Sequence, residues 1–308
     1  MDKIFKNCYA NKANKNFRKD SIRMNEKIII TCDSTADLPS ELIEKYMIQI
    51  LPLGITIGDV LFTDGVDITP DEIYAMYAHT KQLPKTSAVN VIDCVKFFEW
   101  LTRQGYTVIH FSISAELSAT FNNCCIATQN QDNVYVIDSR NLSSGIALLV
   151  ITAAQLAEQG KTAAEITDTC IKLRNQVETS FIVDNLEFLH KGGRCSSLET
   201  LGANLLHIKP CIVVRDGKMI VGHKYRGKFS SVAKKYIHDT IDDVSSIASD
   251  IIFITHAGCN ESLVLQCKEE VQKLAPGHQI LVAKAGCTIS AHCGQNTLGI
   301  IYLRDISA

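Results

Sequence analysis

No stretch of this 308-residue chain approaches 18 consecutive apolar residues, so no membrane-spanning helix and no stable membrane insertion are expected. An excess of either charge is also lacking. With 31 Lys and Arg against 33 Asp and Glu, the formal net charge of -2 argues against non-specific nucleic-acid binding. The opening residues lack the apolar core of a secretory signal. Paired Cys-x-x-Cys units are missing, which removes the usual structural zinc site. There is no P-loop and no G-x-G-x-x-G fingerprint, so ATP or NAD binding loses most of its support. The G-x-S-x-G elbow of many serine hydrolases is absent too.

What is present describes an ordinary globular protein, 46% hydrophobic and 21% charged, long enough for one large or two medium domains. Twelve cysteines are scattered through apolar runs (Cys32, Cys211) and helix-like segments (Cys94, Cys170, Cys267). Without a secretory signal they read as small hydrophobes in a reduced, cytoplasmic protein. Residues 1–26 read as a disordered basic leader. The first 23 carry seven Lys or Arg against two Asp, so an over-long start or a basic contact arm also fits.

From residue 27 the chain alternates strand and helix. "KIIITCD" (27–33), "YTVIHFS" (106–112) and "NVYVIDS" (133–139) read as strands, with helices between them, so 27–160 forms an N-terminal α/β domain on a parallel sheet. Each of these strands ends in polar residues that should meet in one crevice, where open sheets bind ligands. Asp33 is expected to fix its own loop by accepting backbone N–H groups, and Asp37 to cap the first helix. Thr69-Pro70 should start a second helix, "LPKTSAVN" should be a loop with Asn90 capping a third, and Gly160 should end a long apolar one. Residues 161–308 read as a mixed α+β domain, with a hairpin turning at Asp216-Gly217.

Several stretches are candidates for chemistry. In "HFSISAELSAT" (110–120), Ser114 is a good N-cap, and the hydroxyls there fit a cap, an anion grip or a nucleophile; His110 would share a strand face with Ser112 and Ser114. Thr86 and Ser87 either face a ligand or merely sit in a loop. "KGGRCSS" (191–197) reads as a sharp corner with Arg194 reaching a carboxylate. His256, Cys259, Cys287, His292 and Cys293 are metal-ligand types at unsuitable spacings, and His292 lies in a short polar segment before the last strand.

Together these residues resemble a known family. "CDSTADLP", "KTSAVN", "ISAELSATF", "VIDSRNLSSG", "FLHKGGRCSS", "HIKPCI", "DGK" and "AHCG" occur in the order and at about the separations seen in DegV proteins, over roughly residues 27–304. The resemblance implies a two-domain α/β fold, a parallel first domain and a mixed second one, with a long-chain fatty acid in a tunnel between them. It implies a binding subunit rather than an enzyme, with no cofactor of its own. Such a subunit presents the carboxylate to a separate ATP-dependent fatty acid kinase subunit, and acyl phosphate results. Carried over by position, Thr86, Ser87, Ser114, Ser118 and His292 would be ligand contacts, and Arg226 and Arg194 partner contacts. Departures from the family pattern fall at Ala115, Ala119, Gln295 and Asn296.

Elementary energetics agree with such a ligand. About 14 buried methylenes at ~0.8 kcal/mol each gain roughly 11 kcal/mol before association costs. The carboxylate must meet several donors, which clustered hydroxyls and a histidine supply. Two other readings remain open at this point: a stand-alone lipid carrier or sensor, and a serine-dependent hydrolase using Ser114.

Overall fold

A computed structural model describes residues 26–195 and 208–305. The expected basic leader, apart from Glu26, and the second half of the segment 185–207 lie outside the described residues. The first layer is a parallel sheet of β1 (Ile28–Asp33), β2 (Gln49–Leu51), β6 (Thr107–Ser112) and β7 (Val134–Asp138), in the order β2-β1-β6-β7. Its connections carry α1 (Ser40–Lys45), α2 (Pro70–Thr80), α3 (Val91–Thr102) and α4 (Thr120–Ala127). A small antiparallel sheet, β4-β3-β5, branches from this layer: β3 (Gly54–Ile57), β4 (Val60–Thr63) and β5 (Lys85–Ser87). The second layer is a six-stranded mixed sheet, β10-β9-β8-β13-β11-β12. Its strands are β8 (Val177–Val183), β9 (Ile208–Arg215), β10 (Lys218–Arg226), β11 (Ile251–Ala257), β12 (Gln279–Lys284) and β13 (Thr297–Leu303).

Between the sheets lies α5 (Ser144–Glu158), which packs on β1 and β6 on one side and on β8, β11 and β13 on the other. A helix clasped from two sides must be apolar nearly all round. Ile146, Leu148, Leu149, Val150 and Ile151 are all buried on it, each contributing about 1.5–3 kcal/mol of transfer free energy. One core cluster therefore runs from Ile30 and Phe111 of the first layer to Phe181 and Ile301 of the second. The helix α6 (Ala163–Leu173) lies beyond Gly160 yet packs on β6 and β7, so the change of sheet comes after it, before β8. The remaining helices are α7 (Glu187–Gly192), α8 (Phe229–Thr240), α9 (Glu261–Leu274) and α10 (Cys287–Cys293).

Local signals in the sequence explain many of these boundaries. Thr69 and Glu72 form a capping box with Pro70 at the first position of α2, and Asn90 caps α3. Asp216 and Gly217 both take positive φ, as a two-residue turn matched to strand twist requires. Four expectations need correction. "KTS" is strand β5 rather than loop, because it pairs with β3 through Gly54↔Ser87 and Ile55↔Thr86. His292 lies on α10, not in a loop. Ser114 does not cap α4, which begins at Thr120; it starts an isolated turn that Leu117 and Ser118 close onto its carbonyl. Asp37 does not cap α1, whose N-cap is Pro39.

Asp37 works across the layers instead. Its carboxylate accepts the Gly286 N–H (2.8 Å) and the Ser143 hydroxyl. Asp64, at the end of the β3–β4 hairpin, accepts the N–H groups of Cys287 (2.9 Å) and Thr288 (3.1 Å), with Ser34 Oγ donating at 2.8 Å. Three consecutive N–H groups at the start of α10 thus end on two carboxylates of the first layer, where the helix dipole favours negative charge. Asp33 has the loop-fixing role expected of it: it accepts from Thr35, Ser112 and Ile113.

Burial pushes the Asp37 carboxyl up to about 8, against the opposing pull of the Ser143 and Gly286 bonds. The folded protein therefore holds this proton more tightly than the unfolded chain, and stability contributed by Asp37 falls as pH rises from about 4 to about 8. An Asp37→Asn protein keeps both hydrogen bonds without this titration. The difference in melting temperature, variant minus wild type, should grow between pH 5 and pH 8 and flatten above. A difference that stays constant over that range would contradict this assignment.

Candidate functional site

A cavity of about 170 Å³ opens between the layers. Leu53, Ile113, Leu117 and Leu142 form its first wall, from the loops after β2, β6 and β7. Phe181, Leu189, Met219, Ile289 and Cys293 form the facing wall, from β8, α7, β10 and α10. The loop after β1 does not reach it. A smaller cavity of about 30 Å³ adjoins and shares Leu142, Phe181, Ile289 and Cys293 with the first.

The polar members of the larger cavity are Thr86, Ser87, Ser118, Thr288, His292 and Arg194. Strand β5 sets Thr86 beside α10, and Thr86 Oγ1 lies 2.8 Å from His292 Nε2. Burial, and after it the charge of Arg194, pulls the imidazole pKa down to about 4, so His292 is neutral at pH 7. Its Nδ1 is buried with no hydrogen-bond partner. An unpaired acceptor there costs less than an unpaired donor, which places the proton on Nε2. His292 then donates to Thr86, and the Thr86 hydroxyl proton is left to point at a ligand.

The two glycines of "KGGR" have separate reasons. Gly193 adopts φ +66° as the C-cap of α7. At Gly192 a Cβ would lie 2.5 Å from His292 Nδ1, so only glycine lets the imidazole pack this closely. Arg194 follows directly and lines the cavity; its Nη1 donates to the Gly192 carbonyl at 2.8 Å, and no carboxylate is bonded to it among the described residues. The expected sharp corner is real, but its arginine faces the cavity.

Of the residues expected to contact a ligand, Thr86, Ser87, Ser118 and His292 line one cavity, and Ser114 does not. Ser114 is fully buried and donates to the Gly217 carbonyl at 2.8 Å, tying the β6 loop to the hairpin of the second sheet. Ser118 stands at the wall, its oxygen accepting the Thr120 N–H at 3.2 Å. His110 is no base for either serine: its Nδ1 lies 2.9 Å from Thr31 Oγ1, and burial drives its pKa down to about 3. Arg226 is exposed at the end of β10, away from the cavity lining. Sequence reasoning did not single out Thr288, Met219 or the carboxylate of Asp64. The thiols of Cys259, Cys287 and Cys293 are directed at backbone carbonyls, and no three metal-ligand side chains converge among the described residues. No helix among them is long and apolar enough to cross a membrane.

This arrangement, an apolar chamber with hydroxyls, a neutral imidazole and a guanidinium among its walls, agrees with what related proteins share. A family model described as "Uncharacterised protein, DegV family" matches residues 27–305. The chain belongs to the DegV family. A DegV domain-containing protein of Clostridium perfringens is 30% identical over 282 residues, covering 91% of this chain and 99% of its own. One from Staphylococcus aureus is 32% identical over 286 residues, covering 91% and 100%. Among solved structures, a fatty acid-binding DegV family protein from Thermus thermophilus superposes with a TM-score of 0.81 at 25% identity, covering 91% of this chain and all of that one. A stearic acid-binding protein from Eubacterium ventriosum gives 0.79 at 26% identity, covering 90% and 98%.

The Gly192 packing makes a direct prediction. In the wild-type protein the Nε2 proton of His292, bonded to Thr86, should appear as a downfield, slowly exchanging NMR signal. Gly192→Ala displaces the ring and should abolish it; an unchanged signal in the variant would refute the close approach.

Proposed function

We propose that this protein binds one long-chain fatty acid in the cavity between its two layers and presents the carboxylate to a separate ATP-dependent kinase subunit in the cytoplasm. The observation that carries the reading is the composition of the cavity: nine apolar side chains from both layers, with Thr86 hydrogen-bonded to His292 and Arg194 close by. Solved relatives named for fatty acid or stearic acid binding support it. An alkyl chain gains by leaving water for such walls, and its carboxylate needs the donors at the polar side.

The chemistry of the head site follows from its protonation. A neutral imidazole and hydroxyls bind a carboxylate by hydrogen bonds without a fully buried counter-ion, so the acid is held yet exchangeable. Arg194 is exposed where it meets the cavity, so its charge lies where a carboxylate, or the phosphate of an acyl phosphate, would emerge. Arg226 offers a second exposed cation on the same layer for a partner. The chain's own groups position the acid; the partner would supply nucleotide and magnesium. The serine-hydrolase reading loses its nucleophile, since Ser114 Oγ is committed to Gly217 and touches no base.

Thr86→Val and Ser118→Ala should each weaken fatty acid affinity about ten- to a hundredfold, the worth of one hydrogen bond to a charged group. Ser114→Ala should lower the melting temperature with less effect on affinity. Mixed with a cognate kinase subunit and ATP, the loaded protein should yield acyl phosphate. No acyl phosphate despite bound acid would leave a stand-alone carrier or sensor, and absence of any bound or bindable acid would overturn the proposal.

A further inference from the structure

The small cavity behind the main one has a use that follows from how its walls are bonded. Its lining includes Ser143, Thr179, Ser180, Thr255 and Thr297, yet every one of these hydroxyls is engaged elsewhere. Ser143 donates to Asp37, Thr179 donates to Asn141 at 2.8 Å, and Ser180 pairs with Tyr236 at 2.8 Å. Thr255 pairs with Ser144 at 2.6 Å, and Thr297 donates to the carbonyls of Cys293 and Gly294. Apart from His256, whose Nδ1 is buried and unpaired, the walls offer methyls and methylenes: Ala257, Ala285, Ile301 and the side-chain-free Gly299. A water there would lack the two to four polar partners it needs, whereas an alkyl end would lose nothing.

The partition between the two cavities is made of Leu142, Phe181, Ile289 and Cys293. Three of these are buried, and Ile289 is the one that keeps appreciable accessible surface. It stands on α10, three residues before His292, so the helix that carries the head-group histidine also carries the partition.

We propose that Ile289, backed by Phe181, is a septum that sets the acyl chain length this protein accepts, and that the chamber behind it receives the last carbons of longer acids. This rests on the fatty acid reading above. A water-sized group needs about 10–15 Å³ of such space, so 30 Å³ takes roughly two or three chain carbons. Acids that end at the septum bind without moving it. Acids longer by two or three carbons bind only when the Ile289 side chain turns aside.

The test is a binding series with straight saturated acids from 12 to 20 carbons on delipidated protein. Ile289→Ala should move the preferred length up by two or three carbons and tighten binding of the longer acids about tenfold, with the 12-carbon acid unchanged. Ala285→Val, which fills the inner chamber, should weaken only the longest acids. Equal weakening at every length in Ile289→Ala, or an unchanged length profile in both variants, would overturn the septum while leaving fatty acid binding intact. If wild-type protein binds none of the acids, the underlying functional reading fails instead.

Discussion

Two buried carboxylates on the first N–H groups of a seven-residue helix hold this site together. A helix this short has little stability of its own and takes its position from what packs on it. Asp37 and Asp64, both from the first layer, fix the start of α10 against that layer, although the helix belongs in sequence to the second. The rest of the site depends on that docking. Thr288, Ile289, His292 and Cys293 line the cavity, and His292 can meet Thr86 only if α10 lies where the carboxylates put it.

The same interface explains why the molecule has one shared core although it has two sheets. The buried helix α5 meets both layers, and polar links from Ser114 to Gly217, from Asn141 to Thr179 and from Ser144 to Thr255 are spread across the joint. Each of these groups is satisfied, as burial demands. The space left between the layers is therefore a gap with rigid walls, polar where β5 meets α10 and apolar beyond. A binding protein needs little more than this, and a catalytic apparatus would need a base that the serines here do not have.

Much of the fold was legible because its signals are local. The capping boxes, the Asp-Gly turn, the alternation of strand and helix and the apolar α5 all follow from neighbouring residues. Thr86, Ser87, Ser118 and His292 were also placed together before any coordinates, but only through resemblance to a family, since nothing in the spacing of residues 86 and 292 brings them within 2.8 Å. What was misread was misread for one physical reason. Ser114 and Asp37 have the residue types and positions of local caps, yet each is satisfied by a partner at least 100 residues away, Gly217 and Ser143 respectively. Likewise "KTS" has no strand pattern of its own and becomes a strand by pairing with β3. Gly192 carries a similar lesson, because the clash it avoids is with a ring 100 residues distant.

The central claim is that α10 and β5 together build a neutral hydrogen-bonding seat for a carboxylate beside Arg194. Its most direct test is ¹³C NMR of a carboxyl-labelled saturated fatty acid bound to the protein. The account predicts a single bound carboxyl resonance at the ionised position at pH 7, shifted in His292→Ala and in Thr86→Val but not in Arg226→Ala. A bound resonance at the position of the free acid in water, indifferent to both changes in the seat, would contradict it.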